Sequence, residues 1–155
     1  SNYTYITQGI PSIVSSAKFG STIVASNNNL IIGAPTASID NTGAVTKTLG
    51  LISVYGFNSV SGIAKYNSSI SDSNIVNYGG LLVLSTDGTV FVTSGSMDTT
   101  NIFDIFKISN VSKLQQITTN STSNISSIAI NQKNTIAVGE QTKTTNKGIE
   151  LYTIN

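Results

Sequence analysis

One order of segments, strand, tight turn, strand, polar loop, strand, occurs three times along this chain, and a repeat of that size constrains the fold more than any single motif. The first repeat runs Phe19-Gly20-Ser21-Thr22-Ile23-Val24-Ala25-Ser26, a turn at Asn27-Asn28-Asn29, Leu30-Ile31-Ile32-Gly33-Ala34-Pro35, a long loop, then Leu51-Ile52-Ser53-Val54-Tyr55. The second runs Tyr78-Gly79-Gly80-Leu81-Leu82-Val83-Leu84-Ser85, a turn at Thr86-Asp87-Gly88, Thr89-Val90-Phe91-Val92, a loop, then Ile102-Phe103-Asp104-Ile105-Phe106. The third is shorter: Ile125 to Ile130, a turn over Asn131 to Asn134, Thr135 to Gly139, a loop, then Gly148-Ile149-Glu150-Leu151-Tyr152.

A fourth short strand follows the first two repeats, at Gly62-Ile63-Ala64-Lys65-Tyr66 and Lys113-Leu114-Gln115-Gln116-Ile117. The third repeat has none, but Tyr3-Thr4-Tyr5-Ile6-Thr7 alternates apolar and polar residues as a strand does. This pattern predicts an all-β, β-propeller-like array of three antiparallel four-stranded blades, the last completed by the N-terminal strand or by a neighbouring chain. Blade 1 spans 17–70, blade 2 spans 76–120, and blade 3 spans 123–155 plus strand 3–7, all in one domain. Familiar propellers have about 4–8 blades, so three imply a pairing of chains, a piece of a larger ring, or an array closed by strand donation. The alternative is a β-sandwich, whose strands share the same alternation.

Composition agrees with sheet. Asn, Ser and Thr number 17, 23 and 20 among 155 residues, which alone would fit disorder, but Ile, Val, Tyr and Phe recur in short runs. Those residues suit half-buried pleated surfaces, and Asn, Ser, Gly and Asp suit the turns between them. No run approaches about 18 apolar residues, so no membrane span is expected, and the first thirty residues lack the basic and apolar regions of an uncleaved signal peptide.

The first repeat, over residues 19–57, carries Phe19-Gly20 opening a strand, Gly33-Ala34-Pro35 closing the next, then Gly43-Ala44-Val45 and a strand ending in Tyr55. This resembles the FG-GAP repeat, the blade of integrin α-subunit propellers. The later repeats depart from it, with Tyr78-Gly79 for the first motif and Thr93-Ser94-Gly95 and Gly139-Glu140-Gln141 for the second. The resemblance implies mechanical roles: Gly20 for close backbone approach, Gly33 for a place without a Cβ, and Pro35 as a strand end. Calcium-binding members of the family carry an Asp/Asn-rich loop between the first two strands. Here Asn27-Asn28-Asn29 and Thr86-Asp87-Gly88 are too short to supply six to eight oxygens, so they read as hairpin turns and no metal site is expected.

The chain has no His and no Cys, which removes Ser-His-Asp and Cys-His catalysis, imidazole or thiolate zinc sites, and disulfides. Its eight basic residues are all Lys and are scattered (Lys18, Lys47, Lys65, Lys107, Lys113, Lys133, Lys143, Lys147), with net charge +1, so nucleic acid is not an expected partner. The carboxylates Asp40, Asp72, Asp87, Asp98, Asp104, Glu140 and Glu150 form no catalytic motif; most fall in turns, while Asp104 and Glu150 alternate on third strands and are expected to face solvent. Neither a Gly-x-Ser-x-Gly elbow nor a supported Ser-x-x-Lys pair occurs. Sequons stand at Asn2, Asn67, Asn110, Asn120 and Asn124, of which Asn67, Asn110 and Asn120 fall in expected loops and are the candidate glycosylation sites. Tyrosines 3, 5, 55, 66, 78 and 152 could stack on a sugar but more commonly fill packing between blades.

The expectation is therefore a non-enzymatic surface or structural protein, extracellular or on a cell or virion surface. It would have no cofactor and would contact protein partners or further copies of itself through its loops, the longest being Thr36 to Leu49. A carbohydrate-binding, lectin-like module is the second reading and a carboxylate-dependent hydrolase the third.

Overall fold

The computed structural model describes residues 17–26, 28–37, 49–58, 63–119, 124–131, 135–141 and 148–154. Among these the chain is all strand, turn and bend, without a helix. Sheet 1 contains β1 (Thr22–Ala25), β2 (Asn29–Ala34), β3 (Leu51–Asn58) and β4 (Ile63–Ile70). Sheet 2 contains β5 (Leu82–Leu84), β6 (Val90–Met97), β7 (Thr100–Lys107) and β8 (Ser112–Thr118); sheet 3 contains β9 (Asn124–Ile130), β10 (Thr135–Gln141) and β11 (Ile149–Thr153). Each sheet is an antiparallel meander in chain order. Strand 3–7, most of the Thr36 to Leu49 loop, and Asn2, Asn120 and Asp40 lie outside the described residues.

The strand registers bring the three sheets into correspondence. Val54 pairs with Ile31, Ile105 with Val92 and Leu151 with Ala137, so these three third-strand residues are equivalent. Likewise Gly33, Ser94 and Gly139 pair with Ile52, Phe103 and Ile149. The bulge between Val54 and Tyr55 recurs between Ile105 and Phe106, where the fourth strand joins. A bulge adds local twist, so sheets 1 and 2 bend at the same point.

Because successive strand residues point to opposite faces, each sheet has a forward face and a rear face. The forward face of sheet 1 (Ile31, Ile52, Val54) packs on the rear face of sheet 2 (Phe91, Ile102, Phe106) with Ile75, Tyr78 and Ile108. The forward face of sheet 2 (Val92, Phe103, Ile105) packs on Ile136 and Val138 of sheet 3. Strands β6 and β7 are thus buried on both sides, which is why Val90-Phe91-Val92 and Ile102-Phe103 with Ile105-Phe106 read as short unbroken apolar runs, with Thr93, Ser94 and Asp104 buried among them. Phe91 and Phe106 stack with centroids 5.1 Å apart and planes 12° apart. The first strands adjoin, β5 lying beside both β1 and β9. The sheets stand in series, the middle one covered on both faces.

Two local expectations need correction. Strand β4 does not stop at Tyr66 but runs to Ile70, so Asn67 lies in a strand and not in a loop. Its Ala64, Tyr66, Ser68 and Ile70 are half-buried while the alternating residues are exposed, so packing of one face carries the strand through a Ser/Asn-rich stretch. Asp104 does not face solvent: it is 0% exposed, on the rear face of sheet 2.

Candidate functional site

The seam between sheets 1 and 2 is organised by the segment leading into β5. Gly79 has φ +84°, and its N–H donates to Ser94 O at 3.1 Å. Its carbonyl accepts from Thr22 Oγ1 of sheet 1 at 2.7 Å. It crosses sheet 1 directly over Gly33, where an added Cβ would stand 2.2 Å from Gly79 O. Gly33 therefore leaves the space through which the next sheet begins. Beside it, Tyr78 is fully buried, and its N–H donates to Leu49 O at 3.1 Å.

The Tyr78 hydroxyl donates to Asp104 Oδ2 at 2.5 Å, Gln116 Nε2 donates to Oδ1 at 2.8 Å, and Lys113 Nζ lies 2.8 Å from Oδ2. Burial first, and then the adjoining carboxylate, push the Tyr78 phenol far above its ordinary pKa. This cluster ties the lead-in segment to β7 and β8. With both oxygens engaged and no exposed surface, this carboxylate acts as a lock between the lead-in and the sheet.

The other carboxylates are dispersed. Asp87 is held below its usual pKa by the Ser85 hydroxyl, then by the Thr89 N–H and hydroxyl, all within its own hairpin turn. Glu150 accepts from the Tyr152 hydroxyl, whose pKa is raised by burial and then by that carboxylate. Among the described residues, no three acidic side chains gather as a metal-binding group. No helix there is long and apolar enough to cross a membrane.

Asn67 and Asn110 line one groove of about 620 Å³ between β4 and the β7–β8 turn. Asn110 is exposed in that turn and its Oδ1 accepts from Ser112 Oγ at 2.7 Å. A second cavity, of about 420 Å³, lies between the tips of the β1–β2 and β5–β6 hairpins and is lined largely by Ser26, Asn28, Asn29, Ser85, Thr86 and Asp87.

The least satisfied surface is on sheet 3. Its forward-face residues Ile149 and Leu151 are 77% and 70% exposed, whereas the equivalent Ile52 and Val54, and Phe103 and Ile105, are fully buried under the next sheet. Among the described residues β11 also has no partner on its outer side, where β4 and β8 complete the other sheets. Sequence reading missed this surface, because Ile149-Glu150-Leu151 looks like any half-buried strand until the register is known. No family model matches the sequence, and no curated protein matches it.

Proposed function

We propose that this chain is a non-enzymatic, propeller-like repeat module of a cell or virion surface, working through protein–protein contact and assembly. The observation that carries this reading is the uncovered face of sheet 3: two large aliphatic side chains exposed at positions that are dry in both other sheets. Three meanders in series with adjoining first strands support the propeller-like geometry. Phe19-Gly20 and Gly33-Ala34-Pro35 support kinship with FG-GAP blades. A fourth strand for sheet 3, from segment 3–7 or from a neighbour, belongs to the same reading. Scarce charge and abundant Asn, Ser and Thr fit an extracellular setting, in which Asn67, Asn110 and Asn120 would accept glycans.

Carbohydrate binding is the second reading, favoured by the hydroxyl- and amide-lined hairpin cavity. Replacing both Ile149 and Leu151 with Ser, then comparing light-scattering mass and glycan-array binding with the parent chain, separates the two. Association lost in the variant, with neither chain binding glycans, supports protein contact. Glycan binding that survives in the variant and is abolished by Asn29→Ala would overturn it.

A further inference from the structure

The forward face of sheet 3 repeats a receptor that is already filled elsewhere in the molecule. In sheet 1 that receptor consists of Gly33, the Thr22 hydroxyl opposite it, and Ile52 beside it, and it receives Tyr78-Gly79 of the next sheet. In sheet 3 Gly139 stands where Gly33 does, Ser127 pairs with it as Thr22 pairs with Gly33, and Ile149 occupies the place of Ile52. Even the crowding recurs: an added Cβ would stand 2.2 Å from Thr22 Oγ1 at Gly33 and 2.5 Å from Ser127 Oγ at Gly139. What differs is the occupant. Gly79 fills the first receptor, whereas Ile149 and Leu151 are open.

The matching insert is also present, in the segment leading into β1, where Phe19 packs on Leu51 and Ala34 of its own sheet. Gly20 shares the φ of +84° with Gly79, and its N–H donates to Gly33 O at 3.0 Å as that of Gly79 donates to Ser94 O. Phe19-Gly20 is therefore the lead-in of sheet 1, as Tyr78-Gly79 is of sheet 2. Around Gly79 a Cβ would meet Ile52 Cγ1 and Leu51 O of the preceding sheet at 3.1 Å; around Gly20, among the described residues, it would meet only Ile23 Cδ1 of its own sheet, at 3.9 Å. Ile23 itself is 57% exposed, while Leu82, its counterpart by register, packs into the core. Among the described residues no sheet precedes sheet 1 or follows sheet 3, and what stands open is β1 with Gly20 at one end and the forward face of sheet 3 at the other.

We infer that a second copy of this chain fills both vacancies head to tail: Phe19-Gly20 and Ile23 of one molecule seat on Gly139, Ser127, Ile149 and Leu151 of the next. This rests on the assembly reading above and names its partner. The Ser127 hydroxyl then donates to the Gly20 carbonyl as Thr22 donates to Gly79. Ile32, Ala34, Leu51, Ser53 and Tyr55 on the rear face of sheet 1 are already buried, so sheet 1 contributes only β1 and its lead-in to the contact. An interface of that extent lies at the small end of specific contacts, which makes the association concentration-dependent. Being heterologous, it propagates into a closed ring or an open stack.

Sedimentation of the full chain from about 1 µM to about 1 mM tests it, with Ile149→Lys damaging only the receptor and Ile23→Lys only the insert. Both side chains are largely exposed, so folding should survive; thermal melts check this, and Leu151→Lys is a second receptor variant. The parent chain should associate, and each variant alone should weaken association at least about tenfold. An equimolar mixture of the two variants should recover a 1:1 complex that grows no further, since one intact receptor meets one intact insert. A parent chain that stays monomeric, a variant that associates like the parent, or a mixture that fails to form the 1:1 complex would each overturn it. Association abolished by Ile149→Lys but not rescued by mixing would point to a symmetric sheet 3 contact, overturning this pairing while leaving the assembly reading intact.

Discussion

Tyr78→Phe removes one oxygen and, with it, the hydrogen bond that ties the lead-in of sheet 2 to the Asp104 carboxylate. The hydrogen bond is buried and its acceptor is ionised, so its loss should cost about 1.5–3 kcal/mol, a sizeable part of the ~5–15 kcal/mol that holds a domain. Asp104 keeps Gln116 and Lys113, which prevents the larger penalty of an unpaired charge. Asp104→Ala should cost more, about 3–5 kcal/mol, because it strands the Tyr78 hydroxyl and the Gln116 amide together. Lys113→Met should cost under ~1 kcal/mol, its side chain being 38% exposed and its charge screened. Urea titration at neutral pH measures all three, and a double-mutant cycle of Tyr78→Phe with Asp104→Asn isolates the pair. If Tyr78→Phe costs no more than Tyr152→Phe, whose hydroxyl sits in a half-buried position, the lock between lead-in and sheet is wrong.

Gly33→Ala would place a methyl 2.2 Å from both Gly79 O and Thr22 Oγ1, so it should destabilise by more than ~3 kcal/mol, whereas Gly148→Ala, with nothing within 4 Å, should be near neutral; thermal melts compare them. Alkaline pH should also weaken the fold. Tyr78 keeps its proton when folded but loses it above 10.0 when unfolded, so the stabilisation is complete below that pH and declines above it by ~1.4 kcal/mol per pH unit. Urea midpoints between about pH 8 and 11 should therefore fall more steeply for the parent chain than for Tyr78→Phe, and equal slopes would contradict the assignment.

The strands and hairpins were readable because each repeat alternates β-branched and aromatic runs with Asn-, Asp- and Gly-containing turns. The serial stacking was less readable. A strand such as Ile102-Phe103-Asp104-Ile105-Phe106 gives the same pattern whether its charged residue meets water or a buried tyrosine, and only the 26-residue separation from Tyr78, closed by the fold, decides. Asn67-Ser68-Ser69 reads as a loop by composition, yet pairing with β3 carries it as strand. The open face of sheet 3 was invisible for a different reason: exposure of Ile149 and Leu151 is a fact about a missing neighbour, not about their own sequence. The role of Gly33 was anticipated as a place for no Cβ, but its neighbour, Gly79, lies in the next repeat.

The three equivalent sheets differ in whether the forward face is covered, and single cysteines test this directly in a chain that has none of its own. Val54→Cys, Ile105→Cys and Leu151→Cys place a thiol at the same position of each sheet. In dilute protein Leu151→Cys should react with a maleimide near the rate of a free thiol, while the other two stay unreactive until the fold is lost. Raising the concentration should slow Leu151→Cys alone. A Leu151→Cys thiol as inert in dilute solution as that of Ile105→Cys would show the face already covered within the molecule and contradict the account.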